Sequence, residues 1–115
     1  MAEAGVYVRL EVSGPAGATP PPAVELTGYR IIQESLTNVL RHGGARQATV
    51  HVRWEPDGVL ITVTNPLTAP PTGEGGSGIP GMRDRVLALG GEFAAGPVSC
   101  AAFEVRAHLP IKGPS

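Results

Sequence analysis

Several residue classes are scarce in this sequence, and each scarcity removes a class of function. The single cysteine, Cys100, excludes an internal disulfide framework, and no group of cysteines and histidines has the spacing of a zinc site. A reducing, cytoplasmic setting is the default expectation. Basic charge is thin: nine Lys and Arg are scattered against ten Asp and Glu, for a net charge of -1. No basic stripe forms, so nucleic acid is not an expected partner. Long apolar runs are missing too, none approaching the roughly 20 residues that span a bilayer. The opening "MAEAG" lacks the charged and apolar regions of a signal peptide. The fragment is therefore expected outside the membrane, which leaves open whether a full-length protein is anchored in one. At 115 residues the expectation is one domain over 1–115, able to bury roughly 65% of its unfolded surface.

What is present is patterned. In "GVYVRLEV", residues 5–12, Val6, Val8, Leu10 and Val12 alternate with Tyr7, Arg9 and Glu11, as in a half-buried strand. "SGPAGATPPP" stops it. From Ala23 to about His42 apolar residues recur at helical spacing (Tyr29, Ile32, Leu36, Val39, Leu40), with Pro22 just before the first turn and "GGA" as the stop. Ala48, Val50, Val52 and Trp54, then Val59, Ile61 and Val63 across "EPDG", predict an antiparallel hairpin. Residues 65–78, "NPLTAPPTGEGGSG", suit neither regular element, and so long a loop in a small domain is usually functional, here a lid. "GMRDRVLALGG" places Met82, Val86 and Leu89 on one helical face ahead of Gly90 and Gly91, and "EFAA" and "AFEVRAHL" predict a closing strand pair. The order β-α-β-β-loop-α-β-β defines an α/β (α+β) two-layer sandwich, with a mixed, largely antiparallel sheet and helices on one face.

Two constellations carry chemistry. At about 100° per residue, Glu34, Asn38, Arg41 and His42 share about a third of the first helix, opposite its apolar stripe. On geometry alone a solvated face is the commoner reading. Asn and His nevertheless cost roughly 0.5 kcal/mol each against Ala in a helix, so a face with no task favours other residues. A carboxylate and an amide oxygen one turn apart suit Mg²⁺ or its waters, and Arg and His donate to phosphate oxygens. "GSGIPG", Gly76 to Gly81, matches a dinucleotide fingerprint but follows a Pro-rich loop and precedes antiparallel strands, which is the wrong context. Its physics survives: glycines permit close backbone approach, and the helix starting near Gly81 attracts phosphate at its N-terminus. The alternative is a flexible hinge.

Together "QESLTNVLRHGGA" and "GGSGIPGMRDRVLALGG" resemble the N box and second glycine box of the catalytic ATP-binding domain of sensor histidine kinases, which shares the Bergerat ATPase fold with DNA gyrase and MutL. The nearest likeness is to the branch of nitrate and desaturase-regulating sensors, through "YRIIQESLTNVLRH" and "GMRDRV", and it runs from about Gly5 to Pro110. The resemblance implies ATP and Mg²⁺ as cofactors, with Asn38 on the metal and Glu34 as metal-water ligand or polarising carboxylate. Arg41 and His42 would meet phosphates. Gly76, Gly78, Gly81 and Met82 would form the turn over the nucleotide, with Arg83 near the triphosphate, Ile79 lining the pocket and Asn65 at the adenine. It implies as partners a separate dimerisation domain bearing the phosphoacceptor histidine, which has no counterpart before Tyr7, and a response regulator.

The departures are specific. Where the family's first glycine box has Asp-x-Gly-x-Gly, this chain reads Asn65-Pro66-Leu67-Thr68-Ala69, and the late Gly-Gly-Thr is replaced by Ala101, Ala102 and Phe103. Neither His42, His51 nor His108 suits the phosphoacceptor role. The expected function is transfer of the ATP γ-phosphoryl group to a histidine on another domain, and the alternative is a degenerate Bergerat-type module that keeps the fold for interaction alone.

Overall fold

A computed structural model describes residues 2–3, 6–14, 20–42, 47–66, 79–99 and 102–111. The elements are β1 (Ala2–Glu3), β2 (Val6–Ser13), α1 (Pro22–His42), β3 (Gln47–Glu55), β4 (Gly58–Pro66), α2 (Ile79–Ala88), β5 (Glu92–Ser99) and β6 (Ala102–Pro110). The strands form one six-stranded sheet in the order β1-β2-β3-β4-β6-β5. Only the β2–β3 pair is parallel. That pairing needs a crossover, and α1 supplies it.

Both helices lie on the same face. α1 meets β2, β3, β4 and β6, while α2 meets β5 and β6. Strand alternation sends Val8, Val50, Ile61, Val63, Val105 and Leu109 into the buried layer beneath them. The other face is polar, with Arg9, Thr49, Thr64 and Glu104 side by side across four strands. The expected two-layer sandwich is the observed one.

Several local expectations change. The short β1 has no periodicity from which to be read. On β2, among the described side chains, Val8 is buried whereas Leu10 and Val12 are 55% and 61% exposed, as β2 lies toward the edge of the sheet. Asn65 and Pro66 are not loop but the end of β4, paired with Phe103 and Ala102. The remaining lid residues, 67–78, lie outside the described residues. α2 begins at Ile79, ahead of Gly81, with Pro80 tolerated in a first turn that needs no intrahelical donors.

The apolar stripe of α1 is also rotated from its expected place. Tyr29 is 60% exposed, and the line against the sheet is Val24, Gly28, Ile31, Ser35 and Val39. Gly28 packs closely there: a Cβ would sit 3.0 Å from Ile61 Cδ1, and that methyl would have to give by a few tenths of an ångström. Small residues bring the helix close to the sheet, and apolar counting overlooks them. The helix starts on Pro21, whose carbonyl accepts from Val24 and Glu25 N–H at 3.0 Å each, and Pro22 removes one donor that would otherwise be orphaned.

α2 ends in a Schellman motif: Gly91 N–H donates to the Val86 carbonyl and Gly90 N–H to that of Leu87, both at 3.0 Å. Gly90 has φ +79°, a left-handed conformation that costs other residues about 1–2 kcal/mol. Gly90→Ala is therefore expected to lower the melting temperature by about 4 °C or more, read by thermal circular dichroism. No change would mean that the cap does not hold α2.

Candidate functional site

Asn38 is half-buried, and its amide is closed off from solvent. Both side-chain atoms, Nδ2 and Oδ1, are buried and have no hydrogen-bond partner among the described residues. A buried amide left unpaired costs about 1–3 kcal/mol, so the fold alone gives no reason for this residue. Asn38 therefore flanks the buried stripe rather than lying opposite it, as the sequence pattern suggested. Glu34, one turn earlier and half-buried, stands on the same side of the helix. A neutral amide oxygen and a carboxylate one turn apart are hard oxygen donors, and they fit a magnesium ion that keeps several of its waters. Arg41 and His42 lie in the last turn of α1, and their side chains are outside the described residues.

α2 is tied to this segment by one buried contact. Ser35 Oγ–H donates to Met82 Sδ at 3.9 Å, and both residues are buried. Ser35 is one turn before Asn38, so the contact ties α2 to α1 within one turn of the unpaired amide. Met82 is thus buried in the first turns of α2, against α1. Neither member of this pair stands out in a search for catalytic residues. The clue in the sequence is a serine at a helix position that periodicity assigns to the core.

The first turn of α2 is otherwise open. Ile79 is half-buried and packs against the core, while Gly81 is exposed and a Cβ there would meet nothing within 4 Å among the described residues. The packing of the described residues does not require glycine at position 81. Arg83 is exposed, with its guanidinium 5.6 Å from the centre of the Phe93 ring on β5, a cation–π stack that fixes where its charge sits. Gly76 and Gly78 lie outside the described residues.

At the end of β4, Asn65 is buried and continues the helix-facing row of Val59, Ile61 and Val63. Its Nδ2 donates to the Pro66 carbonyl at 3.2 Å. Only the amide nitrogen can make that bond, which leaves Oδ1 as the acceptor. Ser35, on the same stretch of α1 as Glu34 and Asn38, thus touches the start of α2, and Asn65 faces the same helix-facing layer from the sheet.

No family model matches the chain. Curated relatives do: it is 30% identical over 107 residues to the sensor histidine kinase YxjM of Bacillus subtilis, covering 93% of this chain and 26% of the relative. It is 32% identical over 108 residues to the sensor histidine kinase LnrJ of the same organism, covering 94% of this chain and 27% of that one. The chain spans about a quarter of the length of these relatives. Among solved structures, the histidine kinase domain of the blue-light activated kinase from Erythrobacter litoralis superposes with a TM-score of 0.67 at 19% identity, covering 95% of this chain and 53% of that one. The chain belongs to the sensor histidine kinases and corresponds to the ATPase-type catalytic domain of that family. Among the described residues no helix is long and apolar enough to cross a membrane.

Two positions should separate stability from binding. Asn38→Ala removes an unpaired buried amide and adds helix propensity, so stability is expected to hold or rise by roughly 1 kcal/mol. Gly81→Ala fills open space in a helix without positive φ and is expected to gain up to about 1 kcal/mol. Thermal or urea unfolding of each variant checks this. A loss above about 1 kcal/mol at either position would show that the residue serves the fold.

Proposed function

We propose that the chain is the Mg²⁺–ATP-binding half of a protein-histidine kinase of the nitrate- and desaturase-sensor branch. In this reading it delivers the γ-phosphoryl group to a histidine on a separate dimerisation domain, for relay to an aspartate of a response regulator. The observation that carries the reading is the unpaired buried amide of Asn38, one turn along α1 from the Ser35–Met82 contact with α2. Asn38 Oδ1 holds the metal, and Glu34 holds a metal-bound water or polarises the attacking imidazole. Bound Mg²⁺ supplies charge neutralisation on the phosphates. Arg41, His42 and Arg83 add positive charge, while Gly76, Gly78 and Gly81 let the backbone approach the phosphates.

In the transfer the bond from Pγ to the β–γ bridging oxygen breaks, a bond from Pγ to an imidazole nitrogen of the acceptor forms, and ADP leaves. Such a reaction asks the protein for positioning and electrostatics rather than a nucleophile of its own. Asn65 takes the adenine position. Its Nδ2 is engaged by Pro66, so Oδ1 is free to accept from the exocyclic amine of the base. A neutral acceptor gives about 1 kcal/mol against 1.5–3 for a charged one, so modest affinity is part of the reading.

The altered first glycine box favours a second reading, an interaction module that has lost ATP, and one experiment separates the two. Calorimetric titration with Mg²⁺–ATP is expected to show saturable binding that falls at least tenfold in Asn38→Ala. Labelled ATP is expected to phosphorylate a supplied dimerisation domain and not the isolated chain. No binding by folded wild-type protein would favour the module, and acid-labile label on the isolated chain would contradict the division of labour.

A further inference from the structure

The outer face of the sheet, away from both helices, carries a second group of donors where the β3–β4 turn meets the end of β6. Glu55 closes β3 opposite Gly58, Gly58 pairs in turn with Pro110, and Ile111 N–H donates to the Asp57 carbonyl at 2.8 Å. The turn is thus fastened to β6 by backbone on both sides. His108 rises from β6 beside it, and its ring fills the space that a side chain at position 58 would need. A Cβ on Gly58 would lie 2.9 Å from His108 Nε2 and 3.0 Å from Cε1. In that place Nε2 is 3.1 Å from Glu55 Oε1. One donor atom each from Glu55, Asp57 and His108 falls within 4.8 Å of the others.

We propose that Glu55, Asp57 and His108 form a divalent transition-metal site of the zinc class, at the opposite end of β4 from Asn65. Zinc takes imidazole nitrogen and carboxylate oxygen at about 2.0–2.2 Å in a tetrahedral set, so two donors on one ion lie about 3.3–3.6 Å apart. Glu55 and His108, at 3.1 Å, are already close to that spacing, and the exposed Asp57 side chain would turn toward them on binding. Two carboxylates balance the charge of a dication. The imidazole selects a borderline metal over calcium or magnesium, which prefer oxygen alone. Glu92, directly across the ladder from His108, lines the same surface groove of about 440 Å³ and offers a further oxygen. Bound there, the ion clips the β3–β4 turn to β6. Gly58 and Asn65 are seven residues apart on β4, about 23 Å along the strand, so the site is independent of the nucleotide reading.

Calorimetric titration of the chain with ZnCl₂, without nucleotide, tests the proposal, with cobalt absorption as a second readout. One equivalent is expected to bind in the micromolar range and to raise the melting temperature. Asp57→Asn, at an exposed turn residue, should fold normally and bind zinc at least tenfold more weakly, and His108→Gln should abolish binding. His51→Gln, on the same face of the sheet but outside the group, should bind as the wild type does. Absence of saturable uptake at submillimolar zinc, or unchanged affinity in folded Asp57→Asn, would overturn the proposal.

Discussion

The close seating of α1 on the sheet is the constraint from which the rest of the site follows. Gly28 lets the helix approach Ile61, and Ser35 rather than a larger apolar residue occupies the next buried turn, where its hydroxyl reaches Met82. That seating fixes α2 relative to α1. One turn beyond Ser35, Asn38 keeps both amide atoms out of solvent. A primary amide there is a poor choice for stability and a good one for a ligand with a hard cation. Real proteins break the local rules mainly where function asks for it, and the exposed glycine at position 81, which the packing does not need, follows the same logic.

Much of the fold was legible because its strands alternate cleanly. Val59, Ile61 and Val63 on β4 and Val50 on β3 are buried as their period predicts, and the glycine pair at 90–91 marked the end of α2. The α1 register was harder. Its buried line contains Gly28 and Ser35, which hydrophobic periodicity does not count, so Tyr29 took a core place that the structure gives to Ile31. The start of the lid was misplaced for a related reason. Asn65-Pro66 reads as a turn, yet pairing with Phe103 and Ala102 carries it as strand, with the proline at the strand end.

The candidate site was legible in residue type but not in environment. A helical wheel puts Asn38 on a polar face with Glu34, and only packing shows that its amide is closed off. The Glu55, Asp57 and His108 group was invisible for the opposite reason. Its donors come from distant parts of the chain, joined by the β4–β6 ladder and not by the spacing of a metal motif. The two groups lie at opposite ends and on opposite faces of one sheet.

Because Asn38 carries its own reporter, the central claim can be read at the residue itself. Its side-chain NH₂ resonance, assigned by amide NMR, should shift saturably when the wild-type chain is titrated with Mg²⁺ and a non-hydrolysable ATP analogue. The shift should be lost when EDTA removes the metal. If backbone signals of α1 and α2 respond to the nucleotide while the Asn38 side chain stays where it was, the buried amide is not the metal-side ligand and the account fails.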